Sequence, residues 1–296
     1  MDWLTGPLQL EFMQRALFVS VLIGLACSVV GVYVVLRNLS FIGDGIAHAS
    51  FAGIVIAYLM KLNLYVGGLI VAVITALGIG AVSRRSQVSM DTAIGVLFTA
   101  TFALGVLLMS RARNYLVDLQ DFLFGNVLAV DARDMALVAA LTAAVLLIVA
   151  MLYKELLFTT FDPLMAQASG IPTAALGNLL LVMLAVTIIV SLQAAGIVLV
   201  AALLVTPAAT AFQLTNRFGA MMGISAAVGV GSAVVGLYAS YYLNAASGST
   251  IVLTATACFF LASLFSPKRR SLLSQVLQTR RRGVRAQPQS AVRAQQ

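Results

Sequence analysis

The sequence predicts an all-α protein, a polytopic bundle of about nine transmembrane helices. Of its 296 residues, 61% are hydrophobic and only 9% are charged, whereas soluble domains carry about 25% charged residues. Apolar runs follow one another along the chain, and each has about the 20 residues that a helix needs to cross a bilayer. This composition excludes soluble enzymes, coiled coils, disordered regulators and disulfide-stapled secreted domains.

Nine apolar runs are long enough to span the membrane. The predicted spans are residues 14–36, 41–60, 64–83, 92–110, 135–153, 174–193, 195–214, 219–242 and 249–266. The run over 174–214 would turn tightly at 193–196, and eight spans remain possible if one segment is re-entrant. The segment 1–12, with Trp3 among several apolar residues, is expected to lie at the membrane interface.

The distribution of charge predicts the orientation. The formal net charge is +8, but eight basic residues and no acid lie within 267–296, so the body over 1–266 is neutral. In the nine-span arrangement this tail shares one side with the basic loops at Arg84, Arg85, Lys154 and Arg217, and basic loops are typically cytoplasmic. We therefore expect the N-terminus outside and a disordered cytoplasmic tail that lies against anionic lipid rather than nucleic acid.

A polar pair opens the second span. Asp44 and His48, the only histidine in the chain, are four residues apart and therefore share one helix face. A charge inside the membrane costs about 2.5–3.5 kcal/mol on insertion scales and usually marks an ion path. A carboxylate with an imidazole suits divalent first-row metals such as manganese or zinc. Alternatively, Asp44 caps the helix and His48 bonds to a neighbour; a metal site would need more ligands, for example from a second copy.

A short helix is predicted in the longest cytoplasmic loop, at about 162–170. Asp162 is a good N-cap and Pro163 a favourable first helical residue, while Gly170 fits the C-terminal stop and Pro172 prevents continuation. Ala166 lies in the middle of this helix. It would either dock into a groove of a partner protein or serve as a plain connector.

The seventh span contains a proline. Pro207 removes a backbone hydrogen bond in mid-span, and Thr206 and Thr210 could satisfy the freed groups. Broken helices often line transport paths, although a static kink is equally compatible with the sequence.

Small residues recur at every fourth position in three of the spans, which predicts close helix packing there. The three sets are Gly45/Ala49/Gly53/Ala57, Gly68/Ala72/Ala76/Gly80 and Gly219/Gly223/Ala227/Gly231.

The chain carries no motif for catalysis. It has no G-x-x-x-x-G-K-[ST] phosphate-binding loop, and its single histidine has no serine or cysteine elbow. Any ATP hydrolysis that drives transport would belong to another polypeptide. The two cysteines, Cys27 and Cys258, are expected to be small core residues.

Three motifs carry a resemblance to a known family. The sequences G-D-G-I-A-H-A, F-D-P-x-x-A-x-x-x-G-I-P and L-V-x-x-L-L-V-T-P-A-A-T-A lie within residues 10–266. Together they resemble the permease subunit of bacterial ATP-binding-cassette importers for manganese, zinc or iron, the ABC-3 family. The resemblance implies a type II ABC importer-like fold in the bacterial plasma membrane.

The resemblance also implies partners and roles. Two permease copies would bracket the path, two ATPase subunits would grip the coupling helix of each loop, and an extracytoplasmic metal-binding protein would deliver the ion. Asp44 and His48 would contact the transported Mn²⁺ or Zn²⁺, and no cofactor would be bound. The segments 124–126 and 241–248 look closer to the manganese branch, with zinc or iron as alternatives. A secondary transporter without an ATPase would have to rely on Asp44 and Asp91.

Overall fold

The computed structural model describes residues 6–86, 88–111 and 131–266, and these ranges contain helices and no strand. A 3₁₀ turn over Pro7–Gln9 precedes ten helices. Their bounds are α1 Glu11–Leu36, α2 Ile42–Leu59, α3 Leu64–Ser86, α4 Met90–Ser110, α5 Ala132–Met151, α6 Tyr153–Phe161, α7 Pro163–Ala168, α8 Thr173–Leu214, α9 Phe218–Leu243 and α10 Ser247–Phe265.

The predicted all-α fold is confirmed over the described residues. Nine helical segments there are long and apolar enough to cross a membrane, and each begins and ends within three residues of the prediction. Helix α8 supplies two of them, Thr173–Leu192 and Ala195–Leu214. The basic tail over 267–296 and most of the loop over 111–134 lie outside the described residues.

Helix α1 ends in a tight turn that leads directly into α2. Asn38 adopts a left-handed conformation with φ 57°, and the N–H groups of Asn38 and Leu39 donate to the carbonyls of Val35 and Val34 at 3.1 and 2.9 Å. This is a Schellman motif, which satisfies the last carbonyls of a helix. It holds the start of α2 close to the end of α1.

Helix α8 doubles back at Gly196, whose φ of 75° and ψ of 166° favour glycine. Before the reversal, Ser191 Oγ lies 3.7 Å from Cys27 Sγ of α1. After it, the Leu204 backbone lies on Gly31, where an added Cβ would be 1.8 Å from the Leu204 carbonyl oxygen. Because these contacts are far apart on α8 but only about one turn apart on α1, the reversal lies beside the middle of α1, buried in the bundle.

The core is centred on α1 and α8. Helix α8 contacts α1, α2, α3, α5, α9 and α10, and α1 also packs against α9 and α5. The largest fully buried side chains of these two helices include Met13, Ile23, Tyr33, Leu184, Ile188, Leu199 and Leu203. Cys27 is buried in this core as predicted, whereas Cys258 is half-buried.

Two of the three small-residue sets lie at close helix contacts. A Cβ on Gly53 of α2 would be 2.2 Å from the carbonyl oxygen of Gly67 on α3, and Ala72 and Ala76 are fully buried. The third set was predicted wrongly, because a Cβ on Gly223 or Gly231 would meet no atom within 4 Å. The close contacts of α9 are instead at Gly229, against Gly24 and Ser28, and at Gly236, against Ile251.

We expect Gly53→Ala to lower the melting temperature of the purified protein, because the added methyl group overlaps the backbone of α3. Overpacking of this kind costs about 1–3 kcal/mol. The matched control is Gly95→Ala on α4, where the new Cβ meets nothing within 4 Å and alanine favours the helix by about 0.5–1 kcal/mol. Equal melting temperatures for the two variants would contradict the packing of α2 against α3.

Candidate functional site

Asp44 and His48 lie together on the first two turns of α2. The His48 Nδ1 atom is 2.9 Å from the Asp44 carbonyl oxygen and 3.3 Å from Asp44 Oδ1. Because a carbonyl oxygen only accepts hydrogen bonds, Nδ1 carries the proton of this bond. In the neutral imidazole this leaves the Nε2 lone pair available to a ligand, the tautomer that a metal-binding histidine requires.

Two aromatic rings of α4 hold the imidazole in place. The His48 ring meets the rings of Phe98 and Phe102 edge-on, with centroid distances of 5.6 and 5.8 Å. Gly45 allows this approach, because a Cβ there would be 2.8 Å from a methyl carbon of Ile94. The carbonyl and the two rings together fix the orientation of His48.

The pair is partly exposed on the surface of the single chain. The Asp44 side chain is 49% exposed and the His48 side chain 24%, while their neighbours Gly43, Gly45 and Ala47 are buried. A carboxylate in contact with lipid is costly, so such residues normally face water or other protein groups. This face of α2 is therefore expected to be covered by something other than lipid.

The pair lies beside the contact between α1 and α8. The Leu204 backbone rests on Gly31, and its side chain would be 2.6 Å from a Cβ on Gly43. Gly31 and Gly43 thus approach the same residue of α8, and Gly31 lies five residues before the end of α1.

The described part of one chain offers too few ligands for a complete metal site. Within the described ranges, no group of three or more histidine, cysteine, aspartate or glutamate residues is close enough to hold a metal ion. Asp44 and His48 contribute one carboxylate and one imidazole. The structure thus brings the predicted pair together, and its contact with metal stays a prediction.

The short loop helix forms where the sequence predicts it. Asp162 Oδ1 accepts a 2.9 Å hydrogen bond from the Met165 amide, Pro163 is the first residue of α7, and Gly170 ends it with φ 84°. Ala166 is fully buried against the bundle, whereas Leu164 and Met165 are 79% and 56% exposed. Helix α7 therefore presents an apolar face outward.

Arg37, which the sequence analysis missed, connects α6 to the turn between α1 and α2. Its Nε and one terminal nitrogen donate to the hydroxyls of Thr160 and Thr159, each at 3.2 Å. These threonines end α6, directly before the Asp162 cap of α7. The only sequence signal was a basic residue after an apolar run, which by itself indicates no more than topology.

Helix α8 breaks at Gly196 and not at Pro207, where the sequence predicted the break. Within α8 only Gly196 leaves helical geometry, eleven residues before Pro207. The Thr210 hydroxyl donates to the Thr206 carbonyl at 2.7 Å, and both Pro207 and Thr210 are buried. A role of Thr206, Pro207 and Thr210 in a transport path stays a prediction.

Comparisons with known proteins agree on one family. The sequence profile described as the ABC 3 transport family matches residues 9–266. A relative from Halalkalibacterium halodurans, named manganese transport system membrane protein MntC, is 46% identical over 284 residues that cover 96% of each chain. A Haemophilus influenzae relative, named probable iron transport system membrane protein, is 35% identical and covers 90% of this chain and 98% of its own.

A solved structure shares the whole fold. The structure titled PsaBC from Streptococcus pneumoniae in complex with Fab contains a chain that is 35% identical, with a TM-score of 0.82. The match covers 93% of this chain and 99% of that one.

We expect Asp162→Ala to destabilise α7 by about 1 kcal/mol, because the Met165 amide loses its acceptor. The measurement is amide hydrogen exchange of the purified protein, which should become faster over 163–168. Asp162→Asn is the matched control, since asparagine caps helices equally well. Equal exchange in the two variants would show that the cap does not hold α7.

Proposed function

Because the chain belongs to the ABC 3 transport family, we propose that it is the membrane permease subunit of an ATP-driven importer of manganese. The observation that carries this proposal is the Asp44–His48 pair, which lies partly exposed on an apolar helix, with Nδ1 of His48 bonded to the Asp44 carbonyl oxygen and Nε2 available to a ligand. The chain moves the ion across the bacterial plasma membrane by alternating access, with the N-terminus outside and the C-terminus in the cytoplasm.

A second copy of the chain completes the metal path. The exposed face of Asp44 and His48 needs a cover that is not lipid, and the described part of a single chain provides too few ligands. Two copies that face each other at α2 satisfy both requirements, because two carboxylates and two imidazoles form an N₂O₂ set. A permeating ion needs ligands that also release it, so a small set per chain fits transport better than a closed cage would.

Manganese is the proposed substrate among the first-row metals. Carboxylate and imidazole ligands suit manganese, zinc and iron alike, while thiolate ligands would favour zinc; Cys27 is buried in the core away from the pair. The relative from H. halodurans is named for manganese. Zinc or iron is the alternative substrate, and the H. influenzae relative is named for iron.

Helix α7 is the proposed docking element for the ATPase subunits. Its outward side chains Leu164 and Met165, together with Phe161 at the end of α6, form an exposed apolar surface. Helix α7 directly follows α6, so a movement of α7 displaces the end of α6. The hydrogen bonds of Arg37 to α6 then transmit this displacement to the turn before α2. Two ATPase subunits, one for each permease copy, hydrolyse ATP, and an extracytoplasmic binding protein supplies the metal.

A secondary transporter that works without an ATPase is the competing function. It would need acidic residues that couple the metal to an ion gradient, and Asp91 is the candidate besides Asp44. Asp91 lies exposed in the first turn of α4, so its substitution separates the two functions without disturbing the core.

We expect Asp44→Ala and His48→Ala to lower ⁵⁴Mn uptake by cells at least about tenfold, because each removes a ligand worth 1.4 kcal/mol or more in the path. Both variants should still assemble with the ATPase, since these side chains are partly exposed. Asp91→Asn is the control and should transport normally. Uptake competition with zinc and iron in the same cells identifies the substrate.

Two outcomes would contradict the proposal. Full uptake by both the Asp44 and the His48 variants would remove the metal path from α2. Loss of uptake in Asp91→Asn, with transport into liposomes that follows a proton gradient without the ATPase, would favour the secondary transporter.

A further inference from the structure

A cavity of about 400 Å³ lies between one side of the loop helix α7 and the neighbouring helices of the bundle. Its polar wall carries two arginines, Arg37 at the end of α1 and Arg84 at the end of α3, together with Gln167 of α7 and Thr173 of α8. Leu180 and Leu181 of α8 form part of its apolar wall. Among the described residues no carboxylate lines this cavity, so neither arginine has an acidic partner there.

Two neighbouring residues of α8 lie beside the two guanidinium groups that line the cavity. One terminal nitrogen of Arg37 would be 4.0 Å from a Cβ on Gly177, and one terminal nitrogen of Arg84 donates to Asn178 Oδ1 at 2.8 Å. Burial lowers the pKa of Arg37 from its ordinary value, although an arginine stays protonated in proteins. Arg37 donates its hydrogen bonds to neutral hydroxyl oxygens, so its charge is solvated by these acceptors but not neutralised.

The cavity and the proposed docking surface lie on opposite sides of α7, so a protein docked on α7 does not fill the cavity. Leu164 and Met165 point away from the bundle, whereas Pro163 and Gln167 face the cavity and Ala166 is buried. A protein that covers the outward face of α7 therefore contacts the opposite side of the helix. What enters the cavity must be small enough to pass between α7 and the ends of α1, α3 and α8.

We propose that Arg37 and Arg84 bind a phosphate group in this cavity, carried by an anionic phospholipid of the inner leaflet or by a free phosphate ion. Arginine matches phosphate oxygens with paired N–H groups, and basic pockets between transmembrane helices on the cytoplasmic side are typical sites for anionic headgroups. The leucine wall beside the arginines favours the lipid. The proposal rests on the proposed function only in placing α7 at the cytoplasmic surface.

A bound phosphate would connect four helices beside the loop helix. Arg37 already links α1 to the end of α6, and Arg84 links α3 to α8. A shared anion would connect these two links and hold α7 at a fixed height above the bundle.

Native mass spectrometry of the full-length permease tests the site directly. The protein is incubated with phosphatidylglycerol or with phosphatidylcholine, with and without its ATPase, and a parallel series uses inorganic phosphate with the melting temperature as readout. We expect the protein to retain phosphatidylglycerol, and Arg84→Gln and Arg37→Gln to weaken this binding roughly tenfold. Arg85→Gln, the adjacent exposed arginine that does not line the cavity, is the control with the same change in charge.

The outcomes distinguish a bound lipid from a free phosphate ion and from an empty cavity. Stabilisation by inorganic phosphate alone, lost in Arg84→Gln, supports the site with a free ion as its occupant. Equal weakening by Arg85→Gln, or binding of neither probe, overturns the proposal, as does displacement of the lipid when the ATPase binds. Arg37→Lys retains the charge and keeps the test valid if Arg37→Gln fails to fold. Lipid binding needs neither metal nor ATP, so its failure is distinct from failure of the transport function.

Discussion

A carboxylate and an imidazole placed on an otherwise apolar transmembrane helix impose the constraint on which the remaining structure depends. Their burial in lipid would be costly, so the fold must hold them rigid and leave their exposed face to another partner. The fold-back of α8 presses Leu204 against Gly31 and Gly43 and fixes the first turn of α2. Phe98 and Phe102 of α4 then orient the imidazole from the other side. The packing of three helices thus serves one pair of polar side chains.

The same turn that positions the pair also connects it to the loop helix. From α7 the contacts run through the Asp162 cap to Thr159 and Thr160, and from these hydroxyls to Arg37. Arg37 is seven residues before Asp44, and a short turn that includes the Schellman motif at Asn38 is all that separates α1 from the start of α2. A displacement of α7 can therefore be transmitted to Asp44 and His48 through short, hydrogen-bonded segments.

Sequence patterns predicted those features that depend on residues close together in the chain. The spans follow from hydropathy, the bounds of α7 follow from Asp162 and Gly170, and the Asp44–His48 pair follows from helical spacing. Non-local contacts were beyond such patterns. Pro207 is buried and stays helical, while the reversal is located at Gly196. The spacing of Gly223 and Gly231 resembles a contact face but meets no neighbour, and Arg37 gains its role from threonines 122 and 123 residues away.

Electron–nuclear double resonance on bound Mn²⁺ tests the central claim most directly, because His48 is the only histidine in the chain. Permease labelled with ¹⁵N-histidine is assembled with unlabelled ATPase and loaded with Mn²⁺. Direct ligation predicts a ¹⁵N hyperfine coupling that disappears in His48→Gln. A bound, transport-competent Mn²⁺ that shows no coupling to ¹⁵N would contradict the assignment of the metal path to Asp44 and His48.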